Sequence, residues 1–208
     1  MQLILIGFMG SGKTTIARKV AHHFKSEWID LDKYIMREQQ MTINEIFAIK
    51  GQSAFRQMEF EALAKLVQED VVIATGGGVV DDAQTRYLLE QSGIPIFYLN
   101  GSYEAHWRRV SRNDRRPLVN QLGHDGLREL YHERRPKYYR LADYTIFFQH
   151  KTPNMMLTEI EGQLPRIQKN WLSDMLSQFF NIKKAYHWRF ETGYLYDRTR
   201  KRRDAHDF

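Results

Sequence analysis

The chain has 208 residues, no cysteine, 42% hydrophobic and 27% charged residues, and a net charge of +6. That is enough chain to bury one domain core, and the missing cysteines exclude disulfides, thiolate metal sites and a thiol nucleophile. No apolar run approaches the ~18 residues of a membrane span, and the apolar start is too short for a signal segment, so a cytoplasmic protein without a membrane partner is expected.

The elements follow in chain order. Residues 2–6 are a short apolar run ending in glycine. A helical pattern runs from about Lys13 to Phe24, with Ile16, Val20, Ala21 and Phe24 on one face. Glu27 to Leu31 reads as a second strand. Helical segments fill Lys33 to Gln68, and Val71 to Ala74 is a buried-type strand running into Gly76-Gly77-Gly78. A helix over Asp82 to Gln91, a strand over Ile94 to Leu99 and a helix from Ser102 to about Arg112 come next. A polar loop is expected from Arg112 to Gly126, then a helix from near Gly126 to Arg140, a strand at Tyr144 to Phe148, and a last helix from Pro153 to about Leu164. Strands alternating with helices indicate an α/β protein, a parallel sheet covered on both faces. Composition shifts near Gly162 to Pro165, so residues 1–164 are expected to form one domain and 165–208 a C-terminal extension.

Charge supports that division. Residues 165–208 hold ten Lys/Arg against five Asp/Glu, whereas residues 1–164 hold 21 against 20. A nearly neutral body is not a nucleic-acid-binding domain in the ordinary sense. The tail, with Trp171, Phe179, Phe180, Trp188 and the basic run from Arg198, reads as an amphipathic helix with a charged end. Its basic and aromatic residues are a weak RNA signal at most.

The first chemical motif is Gly7-Phe8-Met9-Gly10-Ser11-Gly12-Lys13-Thr14, which matches G-x-x-x-x-G-K-[ST] between a strand and a helix. Glycines turn backbone N–H groups toward phosphate oxygens, and the helix N-terminus adds positive potential. Lys13 suits the β- and γ-phosphates, and the Thr14 hydroxyl suits Mg²⁺. Gly10, Ser11, Gly12, Lys13, Thr14 and Thr15 are therefore the candidate ATP-binding residues.

Asp30-Leu31-Asp32 closes the second strand, where alternation would put both carboxylates on one side. Such a pair can serve a metal shell and a substrate hydroxyl, or simply cap the next helix. Arg56 opens a helical pattern, and Gly76, Gly77 and Gly78 allow a ligand to approach the backbone closely. The segment after Arg112 is long for a plain connection and carries Gly123 and Gly126 as hinges, which suits a lid.

Together with Arg115-Arg116-Pro117-Leu118 and Arg134-Arg135-Pro136-Lys137-Tyr138-Tyr139, these pieces resemble shikimate kinase in order and spacing, from Met1 to about Leu164. The resemblance implies a three-layer α/β/α P-loop kinase fold with a central five-stranded parallel sheet and a mobile lid. It implies ATP-dependent phosphorylation of shikimate to 3-phosphoshikimate, with ATP and Mg²⁺. Asp32 would hold the substrate hydroxyls as base or orienting group, and Asp30 would act with Thr14 on the Mg²⁺ shell. Arg56 and Arg134 would grip the shikimate carboxylate beside the Gly77 backbone. Arg116 would close over the transferring phosphate, Arg109 would lie against the adenine, and Lys151-Thr152-Pro153 stands where the family more often has arginine. Which of Arg115 and Arg116, and which of Arg134 and Arg135, makes each contact stays open at this level. By analogy with small P-loop kinases a monomer is expected. The competing readings are a gluconate-type small-molecule kinase and a nucleotide-dependent binding module whose tail contacts RNA.

Overall fold

The computed structural model describes residues 1–111 and 117–165. The described residues belong to one compact unit, Met1–Pro165. The expectations for the tail and for Arg112, Arg115 and Arg116 lie outside the described residues.

Five strands build one parallel sheet: β1 (Leu3–Ile6), β2 (Glu27–Asp30), β3 (Val71–Ala74), β4 (Ile96–Asn100) and β5 (Tyr144–Phe147), in the order β2-β3-β1-β4-β5. The central strands β1 and β4 are buried along their whole length, while β2 and β5 at the edges are partly exposed. Helices on both faces explain why β1 is purely apolar: a strand covered twice has no solvent side on which to place a polar residue.

The helices are α1 (Lys13–Phe24), α2 (Leu31–Gln39), α3 (Ile43–Leu66), α4 (Ala83–Gln91), α5 (Tyr103–Val110), α6 (Pro117–Leu141) and α7 (153–165). Among the described residues, side chains cap five of them, with Thr152 accepting the Met155 amide at the start of α7. Asp30, Thr42, Asp82 and Ser102 each accept a backbone N–H from the first turn of α2, α3, α4 and α5. Each cap satisfies an amide that the helix leaves unpaired. α1 differs, because its N-cap is Gly12 and no side chain caps it.

Two expectations are corrected. β2 ends at Asp30, so Leu31 and Asp32 belong to the first turn of α2 rather than to the strand. Strand alternation therefore does not place Asp30 and Asp32; the cap does. The stretch expected to be loop up to Gly126 is helical from Pro117, broken only at Gly123 (φ 63°, ψ −164°). Val119 and Leu127 pack into the core, which gives this stretch a reason to fold as helix.

One contact in the core decides how α6 lies. Tyr138 is fully buried and stacks on Tyr98 of β4 with ring centroids 5.0 Å apart. Its hydroxyl donates to the carbonyl of Gly77, just after β3. α6 is thus pinned to both the sheet and the glycine turn.

Candidate active site

The loop between β1 and α1 wraps Lys13. The Lys13 ammonium donates to the carbonyls of Gly7 (2.7 Å) and Phe8 (3.2 Å) and to Ser11 Oγ (3.4 Å). Gly10 and Gly12 hold left-handed φ angles of 77° and 93°, a conformation that turns successive amides to one side of the loop. Because α1 has neither a capping side chain nor an acid in its first turn, its N-terminal amides stay available to an anion. The residues fit a nucleotide phosphate on these grounds. Thr15, in the first turn of α1, is exposed.

α5 supports this loop from outside. Arg109 donates to the Gly10 carbonyl at 3.1 Å, and its guanidinium lies 4.2 Å from the centre of the Phe148 ring. His106 is fully buried on the same helix, with Nδ1 2.9 Å from the Met9 carbonyl. A carbonyl only accepts, so Nδ1 carries the proton. Burial pushes the His106 pKa down to about 4 against the effect of that hydrogen bond, and Lys13 and Arg109 add to the fall. The ring is therefore neutral at physiological pH and ties α5 to the phosphate loop. Lys151 forms an ion pair with Glu159 of α7.

The Thr14 hydroxyl donates to Asp30 Oδ2 at 2.7 Å, while Asp30 Oδ1 accepts the Lys33 amide at 3.2 Å. One carboxylate both caps α2 and reaches the phosphate loop, so capping uses one oxygen and leaves the other on Thr14. Thr14 and Asp30 form an oxygen pair of the kind a hard cation takes through water and phosphate. Among the described residues there is no group of three or more His, Asp or Glu side chains suited to hold a metal ion by themselves. A divalent cation here would have to share its shell with phosphate oxygens, as Mg²⁺ commonly does.

The glycine turn faces these groups, and its residues answer to different neighbours. A Cβ at Gly76 would come within 2.7 Å of Asp32 Oδ1 and 2.8 Å of Glu59 Oε1. A Cβ at Gly78 would lie 2.2 Å from Arg56 Nη2. Gly77 approaches the backbone of Met9 in the phosphate loop. Glycine at 76 and 78 is therefore what allows Asp32 and Arg56 to close on this turn.

Arg134 is 4% exposed and forms a two-point fork with Asp81, Nε to Oδ1 at 3.1 Å and Nη2 to Oδ2 at 2.6 Å. Arg56 reaches the same Asp81 Oδ2 at 3.5 Å. The two arginines expected to work together thus converge beside the glycine turn. Arg135 points elsewhere, onto the ring and hydroxyl of Tyr139. The helix explains the choice. Tyr138 is pinned under Gly77, and Arg134, four residues before it, shares that face.

Sequence reasoning missed Glu59 and Asp81. Glu59 is 1% exposed, pairs with Arg56, and is pushed up to about pKa 7 by burial, which outweighs the attraction of Arg56. Its spacing from Arg56, three residues along a helix, was the available signal.

A phosphate cradle, an oxygen pair beside it and two arginines converging beside the glycine turn are what a small kinase for an acidic acceptor requires. Known proteins agree. The family model described as shikimate kinase matches residues 9–165. The shikimate kinase of Lactococcus lactis subsp. lactis is 35% identical over 162 residues, covering 77% of this chain and 96% of the relative. That of Bordetella pertussis is 37% identical over 171 residues, covering 81% and 79%. A solved shikimate kinase from Acinetobacter baumannii in complex with shikimate superposes with a TM-score of 0.71 at 34% identity, over 78% of this chain and 90% of that one. With a family model spanning most of the chain, relatives above 30% identity and a fold to match, the chain belongs to the shikimate kinase family.

Proposed function

We propose that the described residues divide the ATP-dependent phosphorylation of shikimate, the family's reaction in aromatic biosynthesis, between two facing halves of one cleft. The observation that carries this reading is the convergence of Arg56 and Arg134 on Asp81 beside the glycine turn, whose Gly77 approaches the phosphate loop at Met9. The phosphate loop and the amides of α1 hold the ATP phosphates, with Lys13 exchanging neutral carbonyl partners for phosphate oxygens. Thr14, with Asp30 behind it, holds Mg²⁺, which when bound neutralises charge on the β- and γ-phosphates. Arg109, over the ring of Phe148, meets the adenine, and Lys151 adds a cation for the nucleotide.

Arg56 and Arg134 bind the acceptor carboxylate, since planar forks suit a carboxylate better than a hydroxyl does. Asp32, held against Gly76, accepts the proton of the attacking hydroxyl or orients it. The Gly77 and Gly78 backbone sets the floor on which the ring lies. Arg116 would add positive charge over the transferring group from a closing lid, and the reaction would proceed in line, with placement doing most of the work. The catalyst is read as a monomer in the cytoplasm, with no role for nucleic acid.

The experiment is ADP release with MgATP and shikimate, gluconate or no acceptor, using the full chain and its Asp32→Asn variant. Shikimate-dependent turnover that falls about 10²-fold or more in the variant is expected from loss of a general base or orienting carboxylate. Equal ADP release with shikimate and without an acceptor would overturn the acceptor assignment.

A further inference from the structure

Asp81 occupies the place of an anion that the site is built to receive. Its one carboxylate meets Arg134 at two points, Arg56 at 3.5 Å and Lys137 at 3.8 Å. Those are the cations around the acceptor-carboxylate subsite. Glu59 takes the other side of Arg56. The two arginines are thus matched by two resident carboxylates, and an incoming anion meets guanidinium groups already engaged.

The backbone of Asp81 is fixed while its side chain has somewhere to go. The amide donates to the Gly78 carbonyl at 2.9 Å, and the Asp81 carbonyl accepts from Arg86 at 3.0 Å. The carboxylate is partly exposed (22%), whereas the Arg134 side chain beneath it is 5% exposed. Beside it lies an open cavity of about 360 Å³ lined by Gln52, Arg56, Gln57, Asp81 and Asp82 among others. Rotation of one short side chain toward that cavity releases the Nε–Nη2 edge of Arg134 and moves no backbone.

We infer that Asp81 is a resident stand-in for the acceptor carboxylate, holding Arg134 and Arg56 when the site is empty and yielding them when the acceptor binds, so that it sets acceptor affinity and selectivity. This rests on the proposed assignment of Arg134 and Arg56 to the acceptor carboxylate. The physics has two parts. A buried guanidinium left without a partner is costly, so an empty site without Asp81 would leave Arg134 in a poor state. The same carboxylate repels a second anion placed on the same cation, so affinity is the difference between two ion pairs rather than the full value of one. A neutral polyol has no charge with which to replace Asp81, and it is rejected by that difference.

The test is calorimetric titration of shikimate, and of its neutral carboxamide analogue, into the full-length protein without nucleotide. Asp81→Asn and Asp81→Ser are compared with the unchanged chain, and Arg134→Met serves as control. The expected result is that both Asp81 variants bind shikimate about fivefold or more tightly, as removal of a competing charge requires, while the carboxamide gains much less. In steady-state assays kcat/KM for shikimate then rises chiefly through KM. Unchanged or weaker shikimate binding in both Asp81 variants, with Arg134→Met still abolishing it, would overturn the inference and make Asp81 a support that orients Arg134. If Arg134→Met binds shikimate normally, it is the acceptor assignment itself that fails.

Discussion

Replacing Glu59 with Gln isolates the cost of the buried carboxylate behind Arg56. Burial outweighs the attraction of Arg56 and lifts the Glu59 pKa from 4.5 to about 7. A folded-state pKa above the unfolded one means that the native protein holds the proton more tightly. The stability this group contributes is therefore complete below pH 4.5, is lost as pH rises, and levels off above about pH 7. The whole span corresponds to about 3 kcal/mol. Gln copies the shape of the protonated acid, keeps a polar atom for Arg56 and does not titrate. Urea unfolding of the two proteins at about pH 5 and about pH 8 reads the difference, and the unchanged chain should lose about 2 kcal/mol relative to the variant between those conditions. A stability gap that stays constant between the two conditions would refute the reasoning, because it would show that Glu59 is equally charged in the folded protein at both.

Other outcomes follow from the same geometry. Gly78→Ala puts a methyl onto the Arg56 guanidinium; the KM for shikimate should rise about tenfold or more, with a smaller change in the KM for MgATP, when each substrate is varied in turn. Asp30→Ala removes both the cap of α2 and the partner of Thr14; unfolding should show a loss of about 1 kcal/mol, whereas Asp30→Asn should keep the cap and raise only the Mg²⁺ needed for half-maximal rate. His106→Phe keeps the ring volume but loses the bond to the Met9 carbonyl; KM for MgATP should rise several-fold while the KM for shikimate changes little, and equal changes in both would argue that His106 only fills space.

The phosphate cradle was legible because one short loop performs the task with its own backbone. Gly10, Gly12, Lys13 and Thr14 are contiguous, so a linear pattern contains nearly the whole device. The alternation of five strands with helices was legible for a similar reason: burial on two faces forces continuous apolar runs such as Leu3–Ile6, and caps such as Thr42 and Ser102 mark where helices begin. The acceptor half is different. Asp81 lies 25 residues from Arg56 and 53 from Arg134, and nothing local to Asp81 distinguishes it from the helix cap Asp82 beside it. Asp30 could be read as cap or as metal ligand; the structure shows the cap, with the second carboxylate oxygen accepting from Thr14. Arg134 and Arg135 are neighbours of identical type, and only the phase of α6, set by Tyr138 between Tyr98 and Gly77, turns the first toward Asp81 and the second toward Tyr139. By itself, then, the amino-acid order determined the nucleotide half, where function resides in one loop's backbone. Tertiary packing alone decided the acceptor half, because there function resides in charges on separate elements, and their pairing depends on which helix face meets the sheet.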